Sequence, residues 1–138
     1  MKDVAGAAFL VAASATAGFQ ATVTMVVYPT LSHVRAAHWR QSHDRHVREV
    51  RPLVSVLYLA LVVTSAWWLL DDWSPVAAVA VGLAALPVVL TALVAAPLHR
   101  RLVRRDDATL TRLLSVDRVR TGLAVAAVAV ALAAALMD

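Results

Sequence analysis

Four apolar runs, each about as long as a membrane-crossing helix, dominate this chain of 138 residues. They cover residues 4–28, 53–70, 76–98 and 119–137. Roughly 20 apolar residues in helical conformation cross the hydrocarbon core of a bilayer. Because backbone polar groups find no partner in lipid, a helix is the structure that such runs predict. The sequence therefore predicts an all-α integral membrane protein, a four-helix bundle that forms a single domain over residues 1–138.

Composition supports the same class of protein. Hydrophobic residues make up 61% of the chain, against about 45–50% in soluble domains. The absence of cysteine excludes disulfides, cysteine-ligated zinc and iron–sulfur clusters. The net charge of +4 does not indicate nucleic-acid binding, because nearly all the arginines lie in two short links between apolar runs. The predicted partner is the lipid bilayer, not nucleic acid.

The arginine-rich links also predict the orientation of the chain. The third link and the start of the fourth run hold seven arginines and the first link holds five, whereas the second link, "DDWSP", has no basic residue. Basic links stay in the cytoplasm, so both termini are predicted to lie on the non-cytoplasmic side. Short links make neighbouring helices antiparallel, which predicts an up-down-up-down bundle. Twelve Arg to one Lys, with abundant Ala and Val, is typical of a GC-rich bacterial genome, and we predict a multi-pass protein of the bacterial inner membrane.

All five histidines lie in or beside the arginine-rich links. His43 and His46 are three residues apart and share one face of a helix. That face continues through Val50 and Leu53 into the second apolar run, so we expect both imidazoles to look into the bundle. His99 ends the third run at the same side of the membrane. Three imidazoles without a thiolate suit copper, zinc, iron or nickel. The sequence predicts that His43, His46 and His99 hold a metal ion, with copper preferred and iron next.

Polar side chains on the first and fourth runs are predicted to line the same site. Gln20, Thr24 and Tyr28 follow at i, i+4 and i+8, and an amide in lipid is costly unless it faces the bundle interior. Asp117 and Arg120 share a face at the start of the fourth run. Tyr28 and Asp117 are predicted to orient substrate or move protons, while Gln20, Thr24 and Arg120 contact the substrate or support the ligands.

Each of these residues also has a purely structural interpretation. A histidine in an arginine-rich link is usually an ordinary polar residue. Gln20 can join helices by a hydrogen bond worth about 0.6 kcal/mol. Asp117 with Arg120 can form an ion pair without any part in chemistry.

Short motifs in a fixed order resemble a family of small bacterial four-span membrane proteins. The motifs are a Gln within "GFQATVTMVVYP", the Tyr-Pro that ends it, a His-x-x-His, a Pro-x-His and an Arg-Thr, at Gln20, Tyr28, His43, His46, His99 and Arg120. The family is distantly similar to anthrone oxygenase-like membrane proteins, some of which accompany aromatic polyketide pathways. The resemblance spans nearly the whole chain and implies that these six residues form the site. Ser42 and the pair Asp117-Arg118 depart from it, because the family pattern has Tyr and Asn-Trp there.

The predicted function is that of a membrane metal-dependent oxidase or oxygenase that acts on a lipophilic or aromatic small molecule. Two alternatives remain open. One is a non-enzymatic membrane subunit with a metal-handling or accessory role, which for transport requires a homo-oligomer because four spans are few. The other is a cofactor-free membrane cyclase or isomerase that uses Asp117 and the histidines as acid and base.

Overall fold

The computed structural model describes residues 2–137, and it contains no strand within that range. Four long helices, here α1 to α4, follow one another. Helix α1 comprises Lys2–Thr22, a π-helical turn Val23–Val27 and Tyr28–Ser32; α2 is Ala36–Asp71; α3 comprises Pro75–Leu90, a π-helical turn Thr91–Ala95 and Ala96–Arg101; α4 is Asp107–Met137. Residues 1 and 138 of the predicted domain lie outside the described residues.

All four helices are long and apolar enough to cross a membrane, so the protein is a multi-pass membrane protein. Each predicted apolar run lies inside one of them. The largest difference is in α2, which begins at Ala36 although its apolar run starts at residue 53. The charged segment between these points, which contains His43 and His46, is therefore helix and not a loop. This confirms the helical spacing on which the two histidines were expected to share a face.

Helix α4 packs against both α1 and α3, and α1 packs against α2, whereas α2 and α3 touch only sparsely. Small side chains fill the buried faces, among them Ala5, Ala13, Ala77, Ala80, Ala84, Ala124, Ala127 and Ala131. Such residues let membrane helices approach closely. Phe9 and Trp68 close this core with ring centroids 5.0 Å apart. A Cβ at Gly6 would lie 3.2 Å from the Trp68 indole nitrogen, so the α1–α2 contact favours glycine there.

The two π-helical turns arise in front of prolines. The N–H of Tyr28 bonds the carbonyl of Val23 just before Pro29, and the N–H of Ala96 bonds the carbonyl of Thr91 just before Pro97. A proline has no N–H to donate and its ring clashes with the carbonyl four residues earlier. One wider turn relieves that clash, and such turns are frequent at functional sites. They lie beside Tyr28 and His99, two of the predicted site residues.

The starts of α3 and α4 are capped by side chains. The Ser74 hydroxyl accepts a hydrogen bond of 3.1 Å from the N–H of Ala77, with Pro75 at the first helical position of α3. At α4, Asp106 accepts bonds from the hydroxyl and the N–H of Thr109. These bonds to its charged form, the hydroxyl first, lower the pKa of the Asp106 carboxyl below its ordinary value.

Replacing Ser74 with alanine is expected to lower the free energy of unfolding by about 1 kcal/mol, because the N–H of Ala77 loses its acceptor. Chemical unfolding in detergent micelles measures this loss. The matched control is Ser115→Ala, whose exposed hydroxyl bonds only the Thr111 carbonyl inside α4. That change is expected to be neutral or slightly stabilising. An equal loss in both variants would mean that the Ser74 cap contributes nothing.

Candidate functional site

Seven polar side chains from all four helices form one hydrogen-bonded group, which we call the polar layer: Gln20, Thr24, Tyr58, Thr91, Asp117, Arg120 and Thr121. Gln20, Asp117 and Arg120 are at most 5% exposed. Buried polar groups in an apolar bundle are costly unless they are paired. The layer therefore fixes how α1 and α4 face each other.

Asp117 and Arg120 are the charged centre of the polar layer. Nη1 of Arg120 donates to Oδ1 of Asp117 at 3.1 Å. Gln20 bridges the pair, since its Oε1 accepts from Nη2 of Arg120 at 2.9 Å and its amide nitrogen lies 3.5 Å from Oδ1 of Asp117. The Thr24 hydroxyl donates to the other carboxylate oxygen. The carboxylate is thus fully engaged, while Nε of Arg120 has no partner among the described residues.

Tyr58 and Thr91 connect the polar layer to the sparsely packed side of the bundle. Nη2 of Arg120 donates to the Tyr58 hydroxyl at 3.1 Å, and the Tyr58 and Thr91 hydroxyl oxygens lie 2.8 Å apart. Because Thr91 donates its own proton to the Pro87 carbonyl, the Tyr58 hydroxyl is the donor to Thr91. This chain of bonds joins α4, α2 and α3 where α2 and α3 otherwise barely touch.

Beside the polar layer, aromatic and imidazole rings from α1, α2 and α3 meet in a second group, the histidine cluster: Tyr28, Trp39, His43, His46 and His99. Ring centroids of His43 and His99 lie 5.6 Å apart, and those of His46 and His99 lie 6.0 Å apart. His43 is buried, while His46 and His99 are half-buried. The three histidines chosen from the sequence therefore do lie together in space.

The ring nitrogens of the cluster form a chain of hydrogen bonds. The Tyr28 hydroxyl lies 3.0 Å from Nε2 of His99, and Nδ1 of His99 lies 3.3 Å from Nε2 of His43. A neutral imidazole carries one N–H, so the whole chain points in one direction or the other. At its end, Nδ1 of His43 is buried without a partner among the described residues. The nearest carboxylate oxygen, on Asp44, is 3.7 Å away, which is too far for a hydrogen bond.

The spacing of these nitrogens bears on metal binding. Two nitrogens that bind one ion at about 2.0–2.1 Å with tetrahedral angles are about 3.3 Å apart. Nε2 of His43 and Nδ1 of His99 have that separation. His46 does not complete the set as it stands, and among the side chains of residues 4–137 no three histidine or acidic groups are arranged around one point. Two nitrogens at ligand spacing are present, and the His46 ring lies beside them, 6.0 Å from the His99 ring between centroids.

Trp39 closes the histidine cluster at the end of the bundle that carries the links 33–35 and 102–106. It is 1% exposed and lies against His43 with ring centroids 5.6 Å apart. Its indole N–H donates to the Leu102 carbonyl at 2.8 Å. The Arg105 guanidinium sits 5.9 Å from the ring centre and also donates to the Val34 carbonyl, so the two arginine-rich links meet over the tryptophan.

The eight predicted site residues fall into these two hydrogen-bonded groups, which lie side by side. The three histidines and Tyr28 form the histidine cluster with Trp39, whereas Gln20, Thr24, Asp117 and Arg120 belong to the polar layer. Asp117, which was predicted to line the histidine site, bonds Gln20, Thr24 and Arg120. The two histidines outside the predicted set, at positions 33 and 38, are exposed.

Four residues of the site were not predicted: Trp39, Tyr58, Thr91 and Thr121. The signal for Tyr58 was present, because a tyrosine hydroxyl within an apolar run needs a partner just as the Gln20 amide does. Thr91 gave no such signal, since a threonine in a membrane helix can bond its own backbone. Trp39 lies in the charged segment of α2, where only the fold shows that it is covered.

No family model, no curated protein and no solved structure matches this chain. The resemblance to anthrone oxygenase-like proteins therefore stays a prediction. The function has to be argued from the polar layer and the histidine cluster themselves.

Proposed function

We propose that the protein is a metal-dependent membrane oxidase or oxygenase that acts on a lipophilic or aromatic small molecule. The observation that carries the proposal is the convergence of His43, His46 and His99 from two helices, with a nitrogen pair 3.3 Å apart. Copper is the first choice and iron the second, because imidazole nitrogen suits both and copper binds more tightly.

The proposal includes a setting for this chemistry. The four helices form an antiparallel up-down-up-down bundle in the bacterial inner membrane, with both termini on the non-cytoplasmic side. The arginine-rich links then lie in the cytoplasm, as the distribution of basic residues requires, and the histidine cluster lies at the cytoplasmic end. A homo-oligomer is compatible with the exposed apolar helix faces but is not needed for the site.

The reaction we propose is oxidation of an activated methylene group to a carbonyl by one molecule of dioxygen. One oxygen atom enters the carbonyl, the other leaves as water, and the four electrons come from the methylene carbon, so no further reductant is consumed. The metal, when bound, would activate the dioxygen. The step therefore needs no co-reactant other than dioxygen.

The chain's own residues have distinct roles in this proposal. Tyr28 orients His99 through its 3.0 Å bond and carries a hydroxyl that can exchange a proton with that imidazole. Outer partners of this kind fix the ring and the tautomer of a ligand. We assign Asp117 to holding Arg120 in place, because three donors already occupy its carboxylate. Trp39 keeps cytoplasmic water from the cluster.

Metal analysis of the detergent-purified protein tests the proposal. We expect about one equivalent of copper or iron per chain in the wild type, after growth or reconstitution with either metal. His43→Ala/His46→Ala removes two of the proposed ligands. Its metal affinity is expected to fall by more than the roughly 10- to 100-fold that the loss of an outer partner of a ligand causes. The matched control is His33→Ala/His38→Ala, which removes two exposed imidazoles and should retain the metal.

Equal and negligible metal in the wild type and the cluster variant would refute the metal centre. Circular dichroism shows whether the variants keep their helices, so that lost metal is not confused with lost fold. If metal-free protein still turns over substrate, the chain of Tyr28, His99 and His43 favours the second candidate. That candidate is a cofactor-free acid–base enzyme, a cyclase or isomerase.

A further inference from the structure

We infer that the gap between α2 and α3 is the route by which a lipid-dissolved ligand enters from the bilayer. The gap takes the ligand's hydrocarbon chain, and the acceptor oxygen of its polar head reaches Tyr58 and Arg120. This inference rests on the proposed function, which supplies the reason for a lipophilic ligand to reach the site. Its evidence is the packing of the bundle, and its test is separate.

The gap follows from how the helices pack. Helix α2 has no buried residue between positions 44 and 60, although that stretch contains His46 and Tyr58. Its partner α3 makes extensive contact with α4 and little with α2. The bundle is therefore closed on three sides and open on the fourth, and the open side faces lipid.

A groove of about 340 Å³ occupies this open side. Its lining is apolar and small, with Leu61, Ser65, Ala66, Val81, Ala85 and Val88 among the residues that form it. A lipid-facing groove of this kind is filled by hydrocarbon, because a void would forfeit the contacts of its lining. Within the bundle core, by contrast, the void near Thr16 and Pro87 measures about 10 Å³, which is no more than one water molecule occupies.

The groove ends at the polar layer. Leu61 follows Tyr58 by three residues on α2, and Val88 precedes Thr91 by three residues on α3, so the Tyr58 and Thr91 hydroxyls form that end of the groove. A ligand's oxygen there competes with Thr91 for the Tyr58 proton. Behind it lies the buried Arg120, whose Nε lacks an acceptor among the described residues. A carboxylate, phenolate or carbonyl oxygen is the chemistry that this donor would take.

On the side of the two arginine-rich links, Trp39 covers His43. Trp39, held by the Leu102 carbonyl and covered by Arg105, closes the cluster where the two arginine-rich links meet. A lipophilic ligand partitions into the bilayer in any case. The gap between α2 and α3 is then both the open path and the path on which such a ligand is concentrated.

Photolabelling of the full-length protein in lipid nanodiscs tests the inference. The probe is a long-chain fatty acid that carries a diazirine midway along its chain and an alkyne at its end. We expect saturable labelling in residues 61–69 and 81–89 that excess stearate competes away. Octadecane, which has the chain but no head, is expected to compete about tenfold less well, as loss of a hydrogen bond to a charged group predicts.

Two variants carry matched tryptophans. Ala85→Trp fills the groove, whereas Ala129→Trp places the same side chain on an exposed face of α4. Saturable labelling should disappear in the first variant and persist in the second. Labelling spread evenly over the exposed helix faces, or unchanged by Ala85→Trp, would overturn the route. Equal competition by stearate and octadecane would overturn the contact of the head with the polar layer.

The same labelling of His43→Ala/His46→Ala separates this inference from the metal proposal. Saturable labelling in that variant is expected, since neither histidine lines the groove. If the wild type proves metal-free yet labels in the groove, the route stands and the metal centre fails. If metal is bound but no saturable labelling occurs, the route fails and the metal centre stands.

Discussion

Replacing Asp117 with alanine is expected to lower the free energy of unfolding by about 3–5 kcal/mol. The carboxylate is 0% exposed and is the counter-charge of Arg120, which is 5% exposed. Removing it leaves a guanidinium in an apolar interior without a partner of opposite charge. Gln20 and Thr24 lose an acceptor at the same time. Reversible unfolding in mixed micelles measures the change.

The double variant Asp117→Leu/Arg120→Met separates the attraction within the pair from the cost of an unpaired charge. A buried ion pair replaced by apolar residues of similar volume is often neutral or stabilising. We therefore expect the double variant to recover most of the stability that Asp117→Ala loses. The Gln20 amide, which then loses both partners, limits that recovery.

An exposed ion pair provides the control. Asp44 lies 3.8 Å from Arg40, and both side chains are largely exposed. Pairs of this kind contribute about 0–1 kcal/mol, so Asp44→Ala should leave stability nearly unchanged. If Asp117→Ala were as mild as Asp44→Ala, the polar layer would not hold α1 and α4 together.

The helices could be predicted from the sequence because a single requirement, backbone hydrogen bonding in lipid, determines where they form. An apolar run in lipid has to satisfy its own backbone, so run length and composition predict a helix without knowledge of its neighbours. The same logic located Gln20, whose amide had to turn inward and does. The spacing of His43 and His46 predicted that the two residues share one face of a helix. They do, because α2 is helical through that segment.

The arrangement between helices could not be predicted in this way. Whether Asp117 meets the histidines depends on how far α4 is shifted along α1. The spacing of residues along one helix does not predict that shift. The two π-helical turns add to the difficulty, because each inserts one extra residue and rotates the rest of its helix. Pro29 and Pro97 mark these turns in the sequence, but a proline can also produce a plain kink.

The separation of the site into two groups has a physical consequence. The polar layer keeps its full charge paired within the bundle, while the histidine cluster retains an unpaired ring nitrogen on His43 among the described residues. Each group therefore keeps one buried nitrogen without a partner among the described residues, Nε of Arg120 in the polar layer and Nδ1 of His43 in the histidine cluster. Tyr28 belongs to the helix that carries Gln20 and Thr24, so α1 contributes side chains to both groups.

Replacing Trp39 with alanine is expected to cost about 3–5 kcal/mol of stability, as large aromatic truncations do. It should also open the histidine cluster to water, because the indole lies against His43 and is fixed by Leu102. The measurement is the rate at which diethyl pyrocarbonate modifies His43, followed by mass spectrometry. His38, which is already exposed, serves as the internal standard. We expect faster modification at His43 and no change at His38.

Trp39→Phe is the matched variant. It keeps an aromatic ring against His43 but loses the bond to the Leu102 carbonyl and part of the buried volume, which predicts a cost of about 1–3 kcal/mol and slow modification of His43. Unchanged reactivity of His43 in the alanine variant would mean that Trp39 is not what excludes water. In that case the arginine-rich links cover the cluster by another contact, and a ligand route that leads only from the bilayer loses its main support.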